Sequence, residues 1–133
     1  MIVFPHQELT KELIGIYYDI YNELGYGFLE KVYHNAFLIE LRLQGFKFDS
    51  QKKLNVFYKS ENVGDYVPDI IVNNCVIIEL KCVEYMVDSH EAQLLNYLKA
   101  TDCEVGLLFN FGKDPQFIRK IFTNNLKKRN KLK

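Results

Sequence analysis

Tyr66-Val67-Pro68-Asp69-Ile70-Ile71-Val72-Asn73-Asn74-Cys75-Val76-Ile77-Ile78-Glu79-Leu80-Lys81-Cys82 carries two apolar, β-branched runs on either side of an Asn-Asn pair. That pattern predicts two strands joined by a tight turn, since Asn tolerates positive φ. Residues 75–82 read as a buried central strand except for Glu79 and Lys81, which are two apart and therefore project from one face. Burying a carboxylate and an ammonium among Val, Ile and Leu is costly unless they pair or bind something. A structural ion pair between Glu79 and Lys81 is one solution.

Asp69 offers another. The hairpin brings it alongside Glu79, and if the two stand directly opposite, their Cβ atoms lie roughly 4.5 to 5.5 Å apart and the like charges repel unless something positive intervenes. Two carboxylates with spare coordination positions suit Mg²⁺ or Mn²⁺, which keep waters and take further ligands from a substrate phosphate. Register decides the matter. A two-residue Asn73-Asn74 loop pairs Val72 with Cys75 and Asp69 with Ile78, leaving Asp69 and Glu79 on opposite faces; the metal reading requires a three-residue loop or a bulge.

Outward from this hairpin, Leu9, Leu13, Ile16, Ile20 and Leu24 recur every three or four residues and Gly25 follows, which predicts an amphipathic helix over 9–24. A second helix is predicted over 29–43, closed by Gly45. The period then changes to two, with strands expected at 54–58, 66–72 and 75–82. Helical spacing returns over 89–101, residues 105–111 form a continuous apolar strand, and 116–122 fit either a strand or a helix. The order is α, α, β, β, β, α, β, without repeats or low-complexity segments, so residues 1–126 are expected to form one domain.

The chain has 133 residues, 48% hydrophobic and 26% charged, which excludes a disordered or collagen-like chain. No apolar run approaches the roughly 18 residues that span a bilayer, and Met1 to Thr10 lack a leader pattern, so a cytoplasmic protein with no membrane partner is expected. Seventeen basic residues balance seventeen acidic ones, but Lys127, Lys128, Arg129, Lys131 and Lys133 form a basic tail over 127–133, so residues 1–126 carry 12 basic against 17 acidic, a charge of about −5. The body is no obvious polyanion binder. Cys75, Cys82 and Cys103 lack metal-ligand spacing and read as buried free thiols.

Pro68-Asp69, nine residues and Glu79-Leu80-Lys81 match P-D…(D/E)-x-K, and here the sequence resembles the PD-(D/E)xK nuclease superfamily. Gln93-Leu94-Leu95-Asn96-Tyr97 matches the Q-x-x-x-Y motif of its RecB-like branch, the i,i+4 spacing placing Gln93 and Tyr97 on one helix face. Gly27-Phe28-Leu29-Glu30-Lys31-Val32-Tyr33 spells G-x-x-E-x-x-Y, and with the blocks at 79–81, 90–98 and 106–112 the chain resembles the GxxExxY proteins over roughly residues 8–122. It departs from them at Tyr21, often His, Tyr26, often Pro, and Val67, often Arg.

The resemblance implies an α/β fold, a restriction-endonuclease-like αβββαβ core with an additional N-terminal helix and a mixed central sheet flanked by helices. It places the Asp near the end of the second core strand and E-x-K on the third. It implies a Mg²⁺- or Mn²⁺-dependent nuclease in which Asp69 and Glu79 ligate metal, Glu30 adds a ligand or orients a water, and Lys81 positions the attacking water and offsets transition-state charge. Gln93 and Tyr97 would contact that water or a substrate phosphate; helix-to-sheet packing is the other role for Tyr97. Tyr33 is expected to pack, His90 to serve as a helix-start residue, and Tyr17, Tyr18, Phe37, Phe109 and Phe111 to form core. Nucleic acid is the expected partner, DNA ahead of RNA, and a homodimer is compatible with family habit. The opposing expectation is a nonhydrolytic nuclease-fold module that binds nucleic acid or protein.

Overall fold

The computed structural model describes residues 4–127. Helix α1 (Gln7–Leu24) buries Leu13, Ile16, Tyr17 and Ile20 and stops at Gly25, whose φ of 67° is left-handed and whose N–H donates to the Tyr21 carbonyl at 2.8 Å. Helix α2 (Glu30–Leu43) buries Tyr33, Phe37 and Leu41. It ends in a Schellman arrangement: Gly45, at φ 80°, donates to Arg42 O and Phe46 donates to Leu41 O.

Strands β1 (Phe48–Ser50), β2 (Leu54–Tyr58), β3 (Glu61–Tyr66), β4 (Ile70–Val72) and β5 (Val76–Lys81) follow, then helix α3 (Asp88–Ala100), strands β6 (Val105–Asn110) and β7 (Gln116–Ile121), and one 3₁₀ turn (Asn124–Leu126). Five strands form one mixed sheet in the order β1-β4-β5-β6-β7. Only the β5–β6 pair is parallel, with α3 as its crossover. The strands β1, β4 and β5, then α3 and β6, supply the βββαβ portion of the expected core.

Strand parity assigns the two faces. Ile70, Val72, Val76, Ile78, Leu80, Leu107 and Phe109 pack with α1 and α2, whereas Ile71, Ile77 and Leu108 pack with Leu94, Tyr97 and Leu98 of α3. Aromatic rings fill the first layer: Tyr17 stacks on Phe109 at 4.5 Å and Tyr33 on Phe111 at 4.3 Å between centroids.

Several expectations change. Of the predicted strand over 66–72 only Ile70–Val72 is β4, while Tyr66 ends β3, which begins outside the prediction at Glu61; Val67-Pro68-Asp69 separates them, since Pro68 has no N–H to give to a ladder. β2 and β3 pair only with each other, as a ribbon whose Leu54 and Tyr66 cover the α3-side core. β1 carried too short an apolar signature to be predicted. Residues 116–121 are a strand, paired antiparallel to β6. Tyr18 lies on the surface against Phe117 and not in the core. Of the cysteines, Cys103 is buried while Cys75 and Cys82, at a turn and a strand end, are half-buried; all three are free thiols. Lys127, first residue of the expected tail, is docked on the body, donating to Thr101 O at 3.0 Å and Cys103 O at 2.8 Å. Lys128, Arg129, Lys131 and Lys133 lie outside the described residues, as do Met1 to Val3. Among the described residues no helix is long and apolar enough to cross a membrane.

Candidate active site

The turn between β4 and β5 has three residues. Val72 pairs with Val76, Ile71 with Ile77 and Ile70 with Ile78, leaving Asn73, Asn74 and Cys75 in the loop, with left-handed φ of 52° at Asn73 and 56° at Asn74. Continued by one residue, this register sets Asp69 opposite Glu79 on the α3 side. That is the arrangement the metal reading required.

The two carboxylates are bound to each other's backbone. The Asp69 N–H donates to Glu79 Oε2 at 2.8 Å and the Leu80 N–H donates to Asp69 Oδ2 at 2.7 Å. Asp69 therefore sits at the N-terminal end of β4, where the break at Pro68 frees its N–H for a side chain. Glu79 is 4% exposed. Burial, then the Asp69 charge and a hydrogen bond between the two carboxyl groups, push its pKa up to about 9, against the opposing pull of the Asp69 N–H and Lys81. Burial and the neighbouring Asp69 charge thus favour the neutral form of Glu79.

Lys81 is half-buried at the last position of β5 and, among the described residues, forms no ion pair with Glu79. Glu30 opens α2 on the solvent side; desolvation, then repulsion from Asp69, raises its pKa while Lys81 lowers it, so all three charges share one field. Tyr97 of α3 is buried, its ring edge-on to Tyr66. Its hydroxyl is pushed up to about 12 by burial and then by Glu79 and Asp69, which places it against the carboxylate pair. Gln93, one turn earlier on α3, is exposed. His90 accepts the Val87 N–H on Nδ1 at 3.3 Å and acts as a helix-start residue.

Two hard-oxygen carboxylates, each bound to the other's backbone, fit a Mg²⁺ or Mn²⁺ ion. Among the described residues no three His, Cys, Asp or Glu side chains gather closely enough to hold an ion by themselves. Among the described residues Asp69 and Glu79 are the pair that would hold such an ion, with Glu30 in the same electrostatic field.

Residues not singled out as functional hold the surrounding loops. The Tyr33 hydroxyl donates to Gly25 O at 2.6 Å and accepts the Phe28 N–H at 3.3 Å, so it packs, as expected, and also ties down the loop before Glu30. Asn110 grips Val83 on both sides, Oδ1 accepting its N–H at 3.0 Å and Nδ2 donating to its carbonyl at 2.9 Å. Its signal was present: Asn110 is the sole polar side chain in an otherwise apolar run of strand length. The Tyr21 hydroxyl bonds Gly112 O at 2.8 Å and Lys113 O at 2.6 Å.

The fold matches the structure described as "Crystal structure of SSO0001" with a TM-score of 0.57 at 18% identity, over 89% of this chain and 61% of that one. This chain therefore spans about three-fifths of that protein's length. No curated protein matches it. The sequence model of the PD-(D/E)XK nuclease superfamily matches residues 7–121, most of the chain including every element around the carboxylate pair, and the protein belongs to that superfamily.

Proposed function

We propose that the protein is a metal-dependent nuclease of the GxxExxY group, hydrolysing phosphodiester bonds of nucleic acid, DNA ahead of RNA, with Mg²⁺ or Mn²⁺ held by Asp69 and Glu79. The observation that carries this reading is the three-residue turn. It sets two acids face to face on the α3 side of the sheet, an outcome that costs stability unless a cation or a proton offsets their charge. When bound, the cation supplies Lewis acidity to a phosphoryl oxygen and lowers the pKa of a coordinated water.

The chain's own residues then have separate tasks. Lys81, unengaged by Glu79, offers its ammonium to the attacking water and to the charge that builds on the phosphoryl oxygens in the transition state. Glu30, in the same field as Asp69 and Lys81, adds a ligand or orients that water. Tyr97 and Gln93 present a hydroxyl and an amide from one face of α3, the first toward the carboxylates and the second toward solvent, where a substrate phosphate approaches. The in-line displacement leaves a 5′-phosphate. A homodimer belongs to the same proposal: Leu29, Val32, Ile39 and Leu43 form an exposed apolar stripe along α2 that a second antiparallel copy would cover.

The test is cleavage of single- and double-stranded DNA and RNA in Mg²⁺ and Mn²⁺, compared with Glu79→Ala and Lys81→Ala. Metal-dependent cleavage lost in both variants is expected. A wild-type chain that cleaves nothing in either metal would support the nonhydrolytic module instead, which the body's acidic charge favours.

A further inference from the structure

Beyond Lys81, where β5 runs out, a cleft of about 370 Å³ opens between the loop joining α1 to α2, the segment after β5 and the segment after β6. This is the small end of ligand-binding clefts, which span roughly 300 to 1,000 Å³. It adjoins the carboxylate site along the chain on two sides: Cys82 in its wall follows Lys81, and Phe28 in its wall lies two residues before Glu30.

Its walls are fixed. Tyr33 ties the loop at Gly25 and Phe28, Asn110 clamps Val83, and Tyr21 holds Gly112 and Lys113. Gly112 closes the floor so tightly that a Cβ there would overlap the Val83 carbonyl oxygen. On this rigid frame Tyr26 is 57% and Phe28 50% exposed. Gly25 and Gly27, at φ 67° and 111°, give the loop a path that a residue bearing a side chain adopts only with strain. Two aromatic rings thus stay in water at a preformed opening, although burying them would stabilise the fold.

The chemistry of the lining selects the occupant. Among the described residues Glu84 and Lys113 are the charged side chains of the lining and cancel, so the lining offers no net attraction to a phosphate. What remains is the aromatic surface of Tyr26, Phe28 and Phe111, the composition that receives a planar, neutral ring. We infer that this cleft is a nucleobase subsite, in which one unpaired base beside the scissile phosphate stacks on Tyr26 and Phe28. This rests on the nuclease reading for its neighbour but not for its own geometry. A base held in a duplex is stacked on both faces and cannot enter, so the site selects single-stranded or locally unpaired nucleic acid.

The probe is a short single-stranded DNA with 2-aminopurine moved through successive positions, titrated at low salt in Mg²⁺ into the wild-type chain and into Lys81→Met, which keeps both carboxylates. Fluorescence should change at one position on binding, and the single strand should bind at least about tenfold more tightly than its duplex. Tyr26→Ala and Phe28→Ala, both at exposed positions, should each weaken single-strand binding about 5- to 150-fold and remove the fluorescence change. The inference is overturned if no position responds, if the duplex binds equally well, if the two variants bind like wild type, or if the wild-type chain binds no oligonucleotide. Cleavage followed in parallel separates the two readings: cleavage without a Tyr26 or Phe28 effect removes the subsite alone, and base-specific binding without cleavage in any metal removes hydrolysis alone.

Discussion

Glu79 and Lys81 interrupt the same buried strand, yet the structure gives them different burdens. Glu79 is buried, accepts the Asp69 N–H and carries a pKa raised from 4.5 to about 9. An acid raised in this way takes up a proton on folding between those two values. The metal-free protein should therefore lose stability as pH climbs from about 4.5 towards 9, by something on the order of a few kcal/mol at most. Melting curves in a chelator from pH 5 to 9 should slope downwards, and Glu79→Gln should flatten them, because the amide still accepts the Asp69 N–H without ionising. Lys81 has no such bond to Glu79. Lys81→Met should cost less than about 1 kcal/mol of stability while lowering cleavage roughly 100-fold or more; had the two formed a buried ion pair, the same change would strand Glu79 and cost about 3 to 5 kcal/mol. Thermal melts and initial rates on one preparation separate these outcomes.

The β4–β5 hairpin and the loop before α2 are the elements that convert those residues into a site. Asn73 holds the turn twice, by its left-handed φ of 52° and by bonding both Lys47 backbone groups, its Oδ1 accepting the N–H at 3.1 Å and its N–H donating to the carbonyl at 2.8 Å. Asn73→Ala loses the side-chain acceptor and the tolerance of that backbone conformation, so about 1 to 2 kcal/mol should disappear from a denaturant titration. The loop at residues 25–28 depends in the same manner on one hydroxyl. Tyr33→Phe keeps the stacking on Phe111 but leaves the Gly25 carbonyl and Phe28 N–H without their partner. Stability should fall about 1 kcal/mol, and hydrogen exchange at the Phe28 amide should accelerate far more than exchange in β5.

For the whole molecule, the cost of setting Glu79 beside Asp69, as repulsion or as a proton captured by Glu79, exists only when the hairpin is closed, so a cation that relieves it binds the folded chain and not the unfolded one. At about 100 times the dissociation constant, Mg²⁺ should add roughly 2.7 kcal/mol. For a domain of this size that is several degrees of melting temperature. Asp69→Asn should raise the metal-free melting temperature and abolish most of the Mg²⁺ response. A wild-type melting curve unmoved by millimolar Mg²⁺ and Mn²⁺ would count against metal binding in the absence of substrate.

Periodicity alone placed α1, α2, α3, β5 and β6, because an amphipathic helix or a buried strand is a local pattern of side chains facing one core. The charged residues were legible for a related reason: the acids Asp69 and Glu79 and the base Lys81 are conspicuous against the Ile-Val background around them. The sequence could not choose the register of the hairpin, since Asn73-Asn74 supports a two-residue loop as readily as part of a three-residue one. Tertiary packing chose it, by requiring Ile71 and Ile77 on the α3 side and Val72, Val76 and Ile78 on the other. Strand β1 escaped notice because three residues hold too little period, and its place is set by pairing with β4. The partners of Tyr21 and Asn110 also lay beyond the sequence, although Asn110 itself stood out in its apolar run: they bond groups 27 to 92 residues away, and a hydrogen bond of that span is decided by the folded chain as a whole.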